Sequence, residues 1–104
     1  MTENTVLSID NWDEICSLFS KMFEGLGEIE SNEEYVSYNS IPPYVATGIT
    51  VNKQGIILAN MPLHSVQTEY EYVEFDSELK WMSLYNSKSK YTYKIPSEIL
   101  SQRK

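Results

Sequence analysis

The sequence has few of the residues from which metal sites and disulfides are built. Its 104 residues include one cysteine, Cys16, and one histidine, His64. The chain therefore cannot form an intrachain disulfide, nor a histidine-rich or cysteine-rich metal site by itself. A single thiol suits a reducing compartment, so we expect a cytoplasmic protein. We predict neither a metal nor a cofactor.

Long apolar runs are also lacking. No segment approaches the ~20 apolar residues that a membrane-spanning helix needs. Residues 1–11 have neither the basic residues nor the apolar core of a signal peptide, and we expect no contact with a membrane. The hydrophobic content of 41% is nevertheless enough for a core, and the length is usual for one domain. We therefore expect a single folded domain over residues 1–104.

Basic residues are scarce relative to acidic ones. Eight lysines and arginines stand against 15 aspartates and glutamates, which gives a formal charge of −7 and a pI near 4.6. DNA, RNA and anionic membranes attract clustered positive charge, so we expect no direct binding to nucleic acid. A basic protein is a better electrostatic match, although net negative charge also serves solubility.

The clearest amphipathic pattern predicts a helix over residues 10–25. Its apolar residues recur at steps of three and four and form one broad face. Ser8 or Asp10 is expected to cap the start, and Gly25 to end the helix in a left-handed conformation. Cys16 lies within the apolar face, where we expect it to be buried and unreactive.

Residues 48–60 contain two β-branched runs separated by four turn-forming residues, which predicts a β-hairpin. If Val51 lies opposite Ile56, then Ile49 lies opposite Leu58, and these four side chains share one face. The helix is expected to cover that face. The predicted core comprises Phe19, Phe23, Ile49, Val51, Ile56 and Leu58.

Further alternating segments predict additional strands and a final helix. The alternation in residues 67–75 changes phase near Tyr72 and Val73, which predicts a bulge or bend there. The predicted fold is α+β: an N-terminal amphipathic helix packed on a curved antiparallel sheet of about five or six strands, and a short C-terminal helix. The additional strands are expected at residues 33–38, 79–85 and 90–95, and the final helix at residues 97–102.

The sequence offers little for catalysis. His64 has no identifiable catalytic partner. Glu69 and Glu71 would lie on the order of 7 Å apart on one strand face, a separation that inverting glycosidases use. Such glutamates are common on solvated strands, and lysines in the following strands are available to pair with them across the sheet. We therefore assign no catalytic residue and do not favour an enzyme.

The leading hypothesis is a non-enzymatic binding or regulatory module that contacts another protein, or a second copy of itself, through its sheet surface. Eight tyrosines support this interpretation, because half-buried tyrosines are enriched in interfaces. A sharper form is an inhibitor that presents carboxylates to a basic nucleic-acid-binding protein in place of phosphates. The predicted contact residues are Glu69, Tyr70, Glu71, Tyr72, Glu74, Asp76 and Glu78.

The alternative hypothesis is a small-ligand-binding protein or an enzyme. It requires an aromatic pocket between the helix and the sheet, where tyrosines, His64 and carboxylates converge. A helix–sheet interface filled by its own side chains favours the binding module instead.

Overall fold

The chain forms two antiparallel sheets, where the sequence predicts one curved sheet. The computed structural model describes residues 3–42, 47–61 and 64–102, with the backbone alone for residues 60, 61 and 64–68. The elements in order are β1 (Thr5–Ser8), α1 (Trp12–Phe23), β2 (Glu28–Ser31), β3 (Tyr35–Asn39), β4 (Gly48–Asn52), β5 (Ile56–Met61), β6 (His64–Glu69), β7 (Tyr72–Phe75), β8 (Trp81–Tyr85), β9 (Lys90–Lys94) and α2 (Ser97–Leu100).

The strands of the described ranges divide into a four-stranded sheet, in the order β1-β7-β8-β9, and a five-stranded sheet, in the order β2-β3-β4-β5-β6. The prediction of an α+β fold with one helix at each end is confirmed. The prediction of a single curved sheet is wrong, and neither sheet is strongly curled. Neither helix of the described chain has the length and apolar character needed to cross a membrane.

Helix α1 forms where the apolar period predicts it. Its buried side chains lie on one face, and Asp13 in the first turn is well placed for the helix dipole. Gly25, with φ at +78°, follows the end of the helix as expected. The expected N-terminal cap is not formed: the helix begins after Asn11, whose side chain makes no capping bond, and the Ser8 hydroxyl accepts the N–H of Asp10 outside the helix.

One hydrophobic core joins the helix to both sheets. The Phe23 ring stacks on Tyr38 of β3, with centroids 4.1 Å apart, and meets Tyr93 of β9 edge-on at 5.8 Å. The Phe19 ring lies 4.8 Å from that of Phe23. The hydroxyls of Tyr93 and Thr47 share a hydrogen bond of 2.8 Å. Phe23 therefore connects the four-stranded sheet to the five-stranded sheet through aromatic contacts.

The predicted hairpin forms between β4 and β5, but with a different register. Val51 lies opposite Ile57 and Ile49 opposite Ala59. Because side chains alternate along a strand, this one-residue difference places Ile57 and Ala59 in the core and leaves Leu58 47% exposed. The predicted burial is confirmed for Phe19, Phe23, Ile49 and Val51, and is wrong for Leu58 and for the half-buried Ile56.

The loop length explains this register. Lys53–Gly55 form a three-residue connection in which Gly55 has φ at +96°, a common arrangement for hairpins. The side-chain oxygen of Asn52 accepts the N–H groups of Gln54, at 2.9 Å, and Ile56, at 3.0 Å. A four-residue loop would have been needed to set Val51 opposite Ile56.

The phase change near Tyr72 and Val73 marks a change of sheet: the chain bends at Glu71, and the prediction that residues 67–75 form one long strand is wrong. Strand β6 ends at Glu69 in the five-stranded sheet, and β7 begins at Tyr72 in the four-stranded sheet. Tyr70 and Glu71 connect the two. The alternation of buried and exposed side chains changes phase because β7 belongs to a different sheet from β6 and faces the core from that sheet.

Two strands were not predicted, β1 and β2. Each has four residues, and β2 contains a single apolar side chain, so neither carries a readable alternation. The last hairpin is confirmed, with Asn86–Ser89 as its turn, and α2 is a shorter form of the predicted final helix.

Candidate partner-binding surface

The predicted contact residues lie on two sheets and on the segments that follow their strands. Glu69 ends β6, Tyr70 and Glu71 connect the sheets, Tyr72 and Glu74 belong to β7, and Asp76 and Glu78 follow β7. Glu69, Glu71, Tyr72 and Glu78 are exposed, whereas Glu74 and Asp76 are half-buried. Tyr70 is 3% exposed, so its ring belongs to the core below this surface.

Tyr70 fixes the position of the two glutamates beside it. Its N–H donates to the Gly55 carbonyl at 2.8 Å, and its hydroxyl donates to the Asn52 carbonyl at 2.8 Å. A side chain at Gly55 would begin 2.9 Å from the Tyr70 carbonyl oxygen, so this close approach requires glycine. Burial raises the pKa of the Tyr70 phenol well above its usual range. Glu69 and Glu71 therefore extend from a rigid, neutral anchor.

Carboxylates in the second half of the predicted segment bond within the fold. Glu74 accepts a hydrogen bond from the Asn4 side chain at 3.1 Å, and Asp76 accepts the backbone N–H of Lys80 at 3.1 Å. Glu78 forms a salt bridge of 3.0 Å with the Lys80 ammonium group. The salt bridge partly offsets the charge of Glu78, and the hydrogen bonds hold the carboxylates of Glu74 and Asp76 against the fold.

Glu69 and Glu71 differ from those carboxylates. No salt bridge joins either of them to a lysine within residues 3–42, 47–61 and 64–102, so the suggested cross-strand ion pairs do not form there. Their side chains are exposed to solvent, and the hydrogen bonds of Tyr70 hold the backbone between them.

A second acidic surface, the β2–β3 hairpin, was not predicted as a site. Residues 28–34 include four exposed glutamates and no basic residue. The Asn32 side chain accepts the N–H groups of Glu34, at 2.7 Å, and Tyr35, at 2.9 Å, which shapes the turn. The Tyr35 hydroxyl donates to Glu30 at 2.6 Å, and this hydrogen bond raises the pKa of Tyr35. The density of glutamates in the sequence was the signal that could have found this surface.

Hydrogen bonds bring three turns together at one end of the molecule. The Lys53 N–H donates to the Glu34 carbonyl at 2.8 Å, and Tyr70 bonds to Gly55 as described. We call the segments 32–35, 52–55 and 69–71 the turn end. It carries the exposed side chains of Glu33, Glu34, Glu69 and Glu71 and a single basic residue, Lys53.

Most described lysines lie on the four-stranded sheet and its turns. Lys80, Lys88, Lys90 and Lys94 are four of the six lysines that the structure describes. The Lys90 ammonium lies 5.6 Å from the centroid of the Tyr85 ring. The Asn86 side chain donates to the Glu69 carbonyl at 3.2 Å, so the lysine-bearing Asn86–Ser89 turn borders the turn end at Glu69.

Two open clefts adjoin the turn end. The larger, of about 490 Å³, lies between α1 and the β2–β3 turn, and the smaller, of about 200 Å³, lies between the β2–β3 and β4–β5 turns. Each has a single aromatic lining residue, Tyr35 in the smaller and Trp12 in the larger. Among the described residues, Phe19, Phe23 and Tyr38 pack together where the helix meets the sheet. The larger cleft is lined by Trp12, Asp13, Cys16, Ser31, Asn32, Glu33 and Lys53.

Cys16 lies at the border of the core, on the larger cleft, and is less buried than its position on the apolar face predicts. Partial burial raises the pKa of its thiol, as does the charge of Asp13, while a hydrogen bond with Ser31 acts in the opposite direction. A raised pKa keeps the thiol protonated and poorly nucleophilic at neutral pH. No group of three or more histidine, cysteine or acidic side chains in the described ranges is arranged to hold a metal ion.

No protein-family model matches the chain, and neither a curated protein nor a solved structure matches it significantly.

Proposed function

We propose that this protein is a small, non-enzymatic binding module that contacts a basic protein through the turn end. The observation that supports this proposal is the exposure of Glu33, Glu34, Glu69 and Glu71 on turns held together by hydrogen bonds, with Lys53 as the one basic residue of those turns. The backbone that carries these carboxylates is held by hydrogen bonds and needs little ordering when a partner binds.

Electrostatics favours a basic partner over a second copy of this chain. Fixed carboxylates attract a positively charged surface and raise the rate of association, whereas two turn ends of equal charge repel each other. In its sharper form, the proposal is an inhibitor whose carboxylates take the place of phosphates on a basic nucleic-acid-binding protein. Tyr72 offers an aromatic contact next to Glu71, because its side chain is 43% exposed. Its ring stacks on that of Tyr85, with the ring centroids 5.6 Å apart.

The proposal is tested with a charge-reversal pair and a matched control. The test variant carries Glu69→Lys and Glu71→Lys, and the control carries Glu3→Lys and Glu24→Lys, two exposed positions at the ends of β1 and α1 remote from the turn end. Both variants change the net charge equally. Circular dichroism confirms that each is folded.

Each protein is used to capture partners from a lysate of the source organism, and association with the captured protein is then measured at rising salt. We expect a basic partner whose association slows by about tenfold or more in the test variant and changes far less in the control. Capture of a neutral or acidic protein, or equal loss in both variants, would overturn the proposal.

A further inference from the structure

We propose that the free edge of β2 binds an extended segment of the partner, rich in lysine or arginine, as an additional strand of the five-stranded sheet. This inference rests on the proposed function, because it assumes a basic protein partner. It adds the mode of binding: β-strand addition, in which main-chain hydrogen bonds supply affinity and alternate side chains supply specificity.

Among the strands that the structure describes, β2 is terminal in its sheet and pairs with β3 alone. The Asn32 N–H donates to the Tyr35 carbonyl at 2.9 Å, which makes these two residues a hydrogen-bonded pair. Because such pairs alternate along an antiparallel ladder, the next one along β2 is Glu30 with Ser37. The N–H and C=O groups of Ile29 and Ser31 therefore point away from β3, toward the free edge.

The charges beside this edge define the partner. Glu28 and Glu30 are exposed and alternate with the outward-facing backbone groups of Ile29 and Ser31. Side chains that lie directly opposite on neighbouring strands interact, so a bound segment with lysine or arginine at alternate positions pairs with both glutamates. The larger cleft, whose charged lining residues are Asp13, Glu33 and Lys53, adjoins Ser31 and offers room for the segment to continue.

The same charges disfavour two other occupants. A second copy paired through its own β2 would bring Glu28 and Glu30 against each other, and like charges on paired strands are destabilising. An acidic segment meets the same repulsion. Exposed strand edges are often protected by charge against pairing with the wrong strand. Here the charge would select for a basic strand.

A terminal strand of the other sheet supplies the control. Strand β9 is terminal in the four-stranded sheet, and the Asn86 N–H donates to the Ser89 carbonyl at 2.9 Å. By the same alternation, the N–H of Thr92 points outward from β9, beside Lys90 and Lys94. The variants Ser31→Pro and Thr92→Pro each remove one outward N–H and one hydroxyl and leave the net charge unchanged.

The probe is the synthetic peptide acetyl-Thr-Lys-Val-Lys-Val-Lys-Thr-amide. Two further peptides serve as controls: one with glutamate in place of lysine, and one with the same composition in the order Lys-Lys-Lys-Val-Val-Thr-Thr. Binding is followed by amide chemical shifts and hydrogen exchange in the ¹⁵N-labelled full chain. Amide spectra also report whether each proline variant is folded. A further variant, Ser31→Ala, removes the hydroxyl and keeps the backbone N–H, and so measures the effect of losing the hydroxyl alone.

We expect the alternating peptide to protect the Ile29 and Ser31 amides, and to bind about tenfold more weakly to Ser31→Pro than to Thr92→Pro, as the loss of one backbone hydrogen bond predicts. Equal binding of the rearranged peptide, no protection at β2, equal affinity for the two proline variants, or dimerisation of the chain through β2 would overturn strand addition.

If Ser31→Pro does not fold, the protection pattern of the Ile29 and Ser31 amides in the unmodified chain decides whether the peptide adds as a strand. If the Glu69→Lys and Glu71→Lys variant loses partner binding but the peptide does not protect the amides of β2, the proposed function is supported and strand addition is not.

Discussion

The β2–β3 hairpin and the segment 69–78 are both rich in glutamate, but they use it differently. In the second half of segment 69–78, Glu74, Asp76 and Glu78 bond to Asn4 or Lys80 within the fold. In the hairpin, the Glu30 carboxylate accepts a hydrogen bond from Tyr35 on the neighbouring strand, and no hydrogen bond or salt bridge within the described residues holds the other three glutamate side chains. The availability of acidic side chains to a partner therefore depends on their internal contacts rather than on their density in the sequence.

The largest expected effect is a loss of stability when the core between the two sheets is disrupted. Replacing Phe23 by alanine removes the ring that contacts Tyr38 and Tyr93, and should lower the free energy of unfolding by about 3–5 kcal/mol. Leu58→Ala is the control, because Leu58 is 47% exposed and should cost well under half as much. Chemical denaturation measures both. Equal midpoints for the two variants would mean that Phe23 does not connect the sheets.

A second effect should appear at alkaline pH. Burial raises the pKa of Tyr93 from 10.0 to about 12. Because the folded state holds this proton more tightly, the stabilisation is complete below pH 10 and is lost as the pH rises toward 12. We expect Tyr93 to contribute about 2–3 kcal/mol to the fall of the unfolding free energy across this range, and the fall to be smaller by that amount in Tyr93→Phe. Denaturation at several pH values, together with tyrosinate absorbance, measures this; an unchanged slope in the variant would assign the loss elsewhere.

A third effect concerns the carboxylates of the two acidic regions. Reversing Glu33 and Glu34 to lysine should slow association with a basic partner by about tenfold, with little change in stability. Reversing Glu74 and Glu78 should slow it less and lower stability by up to about 1 kcal/mol, because exposed contacts are worth little. Stopped-flow association at two salt concentrations and thermal denaturation separate these outcomes. Identical kinetics for both pairs would remove the distinction that we draw between the regions.

The smallest effect concerns Cys16. Its raised pKa and partial burial should make alkylation by a thiol reagent slow in the folded protein and fast after unfolding. Cys16→Ser should leave binding to a basic partner unchanged. Rapid labelling of the native protein, or loss of binding in a folded Cys16→Ser variant, would show that the thiol has a function.

Sequence pattern predicted the elements with dense periodicity and missed those without it. Helix α1 and the hairpin strands carry enough regularly spaced apolar residues to be recognised. Strand β2 contains only Ile29 as an apolar residue, so its pairing with β3 becomes visible only in the fold. The hairpin register depended on the three-residue loop Lys53–Gly55, whose geometry the apolar pattern does not encode.

For the candidate surface, the sequence pattern likewise indicated the exposure of some side chains but not the contacts between distant residues. The alternation of Glu69 and Glu71 with tyrosines marked a solvated strand face, and both glutamates are exposed. Internal partners such as Asn4, which lies 70 positions from Glu74 along the chain, could not be inferred from local spacing. The burial of Tyr70 likewise follows from the change of sheet, which the sequence shows only as an altered phase.

The anchoring of Tyr70 has a mechanical consequence. Its hydrogen bonds attach it to Asn52 and Gly55 in the five-stranded sheet, while the N–H of the next residue, Glu71, donates to Tyr85 in the four-stranded sheet at 2.8 Å. Tension applied by a partner to Glu69 and Glu71 is therefore shared between the two sheets. Because hydrogen bonds to both sheets oppose this force, the segment 69–71 should stay in place under a force that would separate a strand held by one sheet alone.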